Sequence, residues 1–138
     1  MSDTSRKILG TVVCLPVRDL DASRAFYAEV FDLPDLSVEE GMITVELPNL
    51  SLFLIEEAAF ESYSRKTGRG VNYPTSSSDV ILSCAIASQK GLDDILYAAA
   101  DNGGTVATRG TADHETGLYV GYFFDPDGHH WELAYSGR

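Results

Sequence analysis

Histidine and cysteine are scarce in this chain: three and two in 138 residues, with no histidine before His114. Cys14 and Cys84 stand seventy residues apart, outside any C-x-x-C pair and without a histidine nearby, so zinc ligation has little support. Both lie in apolar runs and are read as buried thiols. Positive charge is short as well. Ten lysines and arginines face twenty-one acidic residues, a net charge of −11 that sets the chain against nucleic acid, whose phosphates it would repel. The same field suits a cationic small molecule, or serves solubility alone. No apolar run approaches the ~20 residues that span a bilayer, and the opening MSDTSRK has no apolar segment of a signal peptide. A cytoplasmic location, with no membrane and no nucleic-acid partner, is the expectation. With 44% apolar and 22% charged residues, the chain suits one compact soluble domain with a real core.

Within that domain the pattern alternates between strand and helix periods. Ile8 to Val17 is a β-branched apolar run that predicts a strand, and Pro16 marks an edge or an end because it donates nothing to a ladder. Asp19 or Asp21 caps a helix over about Leu20 to Phe31, with Phe26, Tyr27, Val30 and Phe31 as its apolar stripe. Met42 to Leu47 and Leu50 to Ile55 predict two strands joined at Pro48-Asn49. From 57 to 79 the pattern weakens into a connector with a short helix at Ala58 to Tyr63. It also holds the basic cluster Arg65, Lys66 and Arg69, either a solvated loop or a contact for an anion or a subunit. Then Val80 to Ala87 predicts a strand, Leu92 to Asn102 a helix stopped by Gly103-Gly104, and Thr105 to Thr108, Tyr119 to Phe124 and His129 to Tyr135 three more strands. The order strand, helix, strands thus occurs twice, over about 8–56 and 80–135. Each half leaves a sheet face uncovered that the pair can bury together.

The closing stretch FFDPDGHHWELAY, Phe123 to Tyr135, is the sharpest local signal. Asp125-Pro126-Asp127-Gly128 predicts a type I turn ending on a positive φ at Gly128. Beyond it, alternation places His130, Glu132 and Ala134 on one face and His129, Trp131, Leu133 and Tyr135 on the other. If the turn pairs Phe124 with His129, then Tyr119, Gly121 and Phe123 share the face of Glu132. Two of these would be aromatic cavity walls and Gly121 would leave space for a ligand. Core packing explains the same three nearly as well. His129 caps or packs the hairpin, and His130 lines a cavity with Glu132 or a solvent-facing rim.

Two segments, LPVRDLDASRAFYAEVF (Leu15 to Phe31) and FFDPDGHHWELAY, resemble the opening strand and helix and the closing hairpin of the vicinal oxygen chelate superfamily of glyoxalases, bleomycin resistance proteins and extradiol dioxygenases. ADHETGLYVG, which holds Asp113 and His114, resembles the branch usually labelled predicted lactoylglutathione lyase, although Glu115 stands where that branch has glycine. The resemblance implies an α+β fold of two βαβββ modules, whose curved, mixed sheets form a cup, usually completed in a homodimer. Metal-using members place four ligands in the cup, on the first and last strands of each module. Here those positions fall on Val12, Leu54, Ile81 and Glu132, and only Glu132 is a ligand type. The resemblance therefore implies a cup without the usual divalent metal site and no other cofactor.

Two functions compete. One is a metal-independent protein that binds a small molecule, a cationic one suiting the acidic balance, in a cup lined by Val12, Leu54, Ile81, Tyr119, Gly121 and Phe123. The other is a lyase, isomerase or dioxygenase-like enzyme with Glu132 as general base or metal ligand and His130 or His114 as acid, the carboxylate's pKa raised by burial.

Overall fold

The computed structural model describes residues 5–137, so the first four residues of the polar N-terminal stretch lie outside the described residues. Two mixed sheets and three helices alternate along the chain. β1 (Val12–Val17) leads into α1 (Leu20–Val30), then β2 (Met42–Leu47) and β3 (Leu50–Glu56) form a hairpin. α2 (Glu57–Ser64) and a 3-10 turn at Arg65–Thr67 open the connector. β4 (Ile81–Ala85), α3 (Gln89–Asp101), β5 (Thr105–Asp113), β6 (Leu118–Phe124) and β7 (His130–Tyr135) complete the second half. The first sheet has order β1-β3-β2 and the second β4-β7-β6-β5, with β1 parallel to β3 and β4 parallel to β7. This is the α+β architecture expected. In the first half the remaining strand of the βαβββ pattern is reduced to a single bridge, Glu39 with Met42.

Capping sets where both long helices begin. The Asp19 carboxylate accepts from Ala22 N at 3.1 Å, and Ser88 Oγ accepts from Gly91 N at 2.9 Å. The Ser88 cap starts α3 three residues before the expected Leu92. The β2–β3 turn uses Asn49 at φ 65°, which the short polar side chain tolerates. β5 runs five residues past the expected Thr108, because register shifts between Val106 and Thr108 and between Thr108 and Thr111 break the alternation on which a sequence reading relies. β1 starts late. Ile8 and Leu9 precede it and are exposed.

One core joins the halves. Phe26, Tyr27 and Val30 of α1 are buried at helical spacing, and α3 adds Leu92, Leu96 and Ala99. α1 covers more than its own sheet: Phe26 packs on Phe123 with ring centroids 6.0 Å apart, and Tyr27 on Trp131 at 5.9 Å. Each sheet thus has a helix-covered face and an opposite one. On the first sheet the opposite face is partly covered by α2, which packs on β1 and β3. On the second it forms an open face. Among the described residues no helix is long and apolar enough to cross a membrane.

Candidate functional site

The second sheet's open face is set by the register of its closing hairpin. Gly128 N donates to Asp125 O at 3.0 Å, and Asp125 N donates to His129 O at 3.0 Å, so the loop closes across residues 125–129 with Gly128 at φ 94°. A type I turn followed by a left-handed glycine adds one residue to the loop. Phe124 therefore pairs with His130 rather than His129, and a one-residue slip sends every side chain of β6 to the other face. Tyr119, Gly121 and Phe123, expected beside Glu132, lie on the helix-covered face. Phe123 is fully buried against Trp131, a Cβ on Gly121 would stand 2.7 Å from Leu96 Cδ1, and Tyr119 donates to Asp93 of α3 at 2.7 Å. Tyr122 and Phe124 take their places on the open face.

Glu132 is the charged centre of that face. Ser83, directly across the parallel ladder, donates to its Oε1 at 2.6 Å, and Tyr122, across the antiparallel ladder, donates to its Oε2. Hydrogen bonds from Ser83 and then Tyr122 hold the Glu132 carboxyl below its ordinary range, and the carboxylate pushes the Tyr122 phenol up to about 12. The base with a raised pKa expected from the sequence is therefore corrected: burial is the smaller influence, and the group is a carboxylate at neutral pH. No lysine or arginine forms an ion pair with it among the described residues.

Aromatic rings flank this carboxylate. His130 stands edge-on to Tyr122, with centroids 5.8 Å apart, and to Phe124 at 5.4 Å. Its Nδ1 pairs with Ser78 Oγ at 3.1 Å. Ile81, opposite His130 in the ladder, shares the face. From His130 the face continues into a cleft of about 810 Å³ between the closing turn and the connector, where Ile81, Phe124 and His130 meet the hydroxyls of residues 75–78. The structure thus brings Glu132, His130 and Ile81 together. It does not bring His114 to them: that residue is exposed in the turn after β5, and no hydrogen bond links it to Glu132 among the described residues.

Seven residues before the N-caps Asp19 and Ser88 stand Val12 and Ile81, opposite Ser51 and His130, so the equivalent of Glu132 on β3 is Phe53. Leu54, one residue further, is fully buried in the core. Its expected place in the cup is corrected by the same rule of alternation. Cys14 pairs with Phe53 on the non-core face and is exposed, and Cys84 is half-buried, so neither is the fully buried thiol that the apolar runs suggested. Ser83, Tyr122 and Phe124 were missed from sequence. The signal that would have found Tyr122 and Phe124 is the extra residue that a left-handed Gly128 inserts before the strand, whereas Ser83 is brought to Glu132 by the parallel pairing of β4 with β7.

Among the described residues, Asp125, Asp127 and His129 place potential ligand atoms within 4.8 Å of one another, all buried. Several of their polar atoms are engaged within the chain. Asp125 Oδ1 accepts from Asp127 N and His129 N, and Oδ2 accepts from Tyr27. Asp127 Oδ1 accepts from Arg18 N at 3.1 Å, and His129 Nε2 donates to Pro16 O at 2.8 Å. Through these bonds the cluster ties the closing turn to the end of β1.

Comparison with known proteins fits this geometry. Among curated proteins none gives a significant match. A hypothetical protein SA1046 from S. aureus is similar over 93% of this chain and 94% of its own, at 24% identity with a TM-score of 0.78. A glyoxalase-related enzyme from Fulvimarina pelagi follows at 22% identity and TM-score 0.75, over 93% and 88% of the two chains. The fosfomycin resistance protein FosX from Mesorhizobium loti shares the fold at 16% identity and TM-score 0.64, over 93% and 92%. The profile of one family matches residues 8–133, nearly the whole sequence. The chain belongs to the Glyoxalase/Bleomycin resistance protein/Dioxygenase superfamily.

Proposed function

We propose that this protein binds a cationic small molecule on the open face of its second sheet, without a resident metal. The observation that carries the reading is Glu132: an ionised carboxylate, held by two neutral hydroxyls and flanked by aromatic rings, with no ion-pair partner of its own among the described residues. A carboxylate among aromatic side chains suits an ammonium or guanidinium group, and the adjoining cleft of about 810 Å³ is ample for the body of such a ligand. The net charge of −11 favours its approach.

A divalent ion does not fit this donor set. Val12, Phe53 and Ile81 offer no ligand atom, and both Glu132 oxygens already accept hydrogen bonds, from Ser83 and Tyr122. The enzymatic alternative, with Glu132 as general base, is disfavoured by the lowered pKa. A homodimer with a shared cup remains part of the proposal, because Val12, Val80 and Ile81 are large apolar residues left exposed beside β1 and β4.

Calorimetric titration with bleomycin and smaller cationic ligands tests the reading. Binding is expected to survive chelator treatment and to weaken about tenfold or more in Glu132→Gln, the scale of one charge-assisted contact. Because the folded pKa of Glu132 is lowered, binding should be full at neutral pH and decline only as pH falls below the ordinary glutamate value of 4.5. An unchanged affinity in Glu132→Gln would sink the assignment.

A further inference from the structure

The connector builds a second cavity, of about 360 Å³, against the non-core side of β1. Its apolar wall is made by Leu15 and Pro16 from β1, Phe60 from α2, Val80, and Leu82 from β4. Neither Glu132, Ser83 nor Tyr122 lines it. Arg69 does, together with Asn72 and His130.

Arg69 is distinguished by what its neighbours do. In the basic cluster of the connector, Arg65 pairs with Glu61 at 3.6 Å and Lys66 Nζ lies 5.4 Å from the centroid of the Tyr63 ring. No ion pair forms at Arg69 among the described residues. Its backbone is nonetheless anchored: Gly68, at φ 75°, closes the 3-10 turn, and Arg69 N donates to Ser64 O at 3.1 Å. An uncommitted guanidinium on an anchored turn, lining a cavity of ligand size, is complementary to an anionic group.

We infer that this cavity binds a small carboxylate with an apolar body, the carboxylate paired with Arg69 and the body against Phe60 and Leu82. A planar carboxylate matches the fork of the guanidinium. Asp79, also on the wall, repels the doubly charged head of a phosphate monoester more strongly than a single carboxylate, which favours the carboxylate of the two. This site shares His130 with the neighbouring cleft, but it does not rest on Glu132 and uses the opposite charge.

Cys14 provides the reporter, because its exposed thiol lines the same cavity while Cys84 does not. Alkylation of each cysteine, resolved by peptide mass spectrometry, is followed with phenylacetate, phenylacetamide and benzyl phosphate as probes. Phenylacetate should slow Cys14 but not Cys84, and the amide should require about tenfold higher concentration for the same protection. Arg69→Gln should lose that preference and Arg69→Lys retain part of it, with thermal unfolding confirming that both variants fold. Equal protection by the amide, unchanged protection in Arg69→Gln, or none at about 10 mM phenylacetate would overturn the proposal. Stronger protection by benzyl phosphate would overturn the carboxylate assignment in favour of a phosphate.

Discussion

Tyr27 shows how one buried hydroxyl can join two halves of a chain. It is fully buried, donates to Asp125 Oδ2 and accepts from Trp131 Nε1 at 3.1 Å. Burial first, and the Asp125 charge second, push its pKa well above the usual tyrosine range, so it remains a neutral donor at any working pH. Removing the hydroxyl leaves a buried carboxylate oxygen and an indole N–H short of a partner, a penalty the ring's packing does not offset. Tyr27→Phe is expected to lower stability by about 2–3 kcal/mol in urea unfolding, near the upper end for one hydrogen bond to a charged group. A loss below about 0.5 kcal/mol would show that water replaces the hydroxyl. The helical stripe that includes Tyr27 was legible in sequence. Its partners, 98 and 104 residues away, were not.

At the scale of elements, the closing hairpin shows why chemistry was harder to read than architecture. Composition located the turn at residues 125–128, and alternation correctly grouped His130 with Glu132 and separated both from Trp131. Which residues of β6 faced them depended on one extra residue in the loop, which inverted the assignment of Tyr119, Gly121 and Phe123. Gly128 itself performs a further task. It sits at φ 94°, and a Cβ there would lie 2.1 Å from Pro74 O, so the turn is seated directly beneath the connector. Gly128→Ala must both strain the backbone and displace Pro74. It should cost about 2–4 kcal/mol and raise hydrogen exchange in the connector around Pro74 and in the turn, while α3 remains protected. Exchange unchanged around Pro74 would mean that the contact is relieved within the turn.

The whole molecule behaves as one unit because its ties cross between halves. His129 reaches Pro16, Asp127 reaches Arg18, and Arg18 stacks over Tyr73 with its guanidinium carbon 3.7 Å from the ring centroid. Trp131, the single tryptophan, rests against α1 from the other half. Unfolding followed by tryptophan fluorescence and by far-UV circular dichroism should therefore give coincident midpoints. A separate early fluorescence transition would show that the halves part before they melt. By itself, the sequence determined the element order, the duplicated plan, the cap of the first helix and the superfamily, because periodicity, turn chemistry and motif are local properties of neighbouring residues. It also singled out Glu132. Tertiary structure alone decided that Ser83 and Tyr122 hold that carboxylate ionised, that Leu54 belongs to the core while Cys14 is exposed, and that Arg69 lines a cavity. Each of those outcomes depends on strand register or on segments distant in the chain, and a single residue of loop length is enough to reverse it.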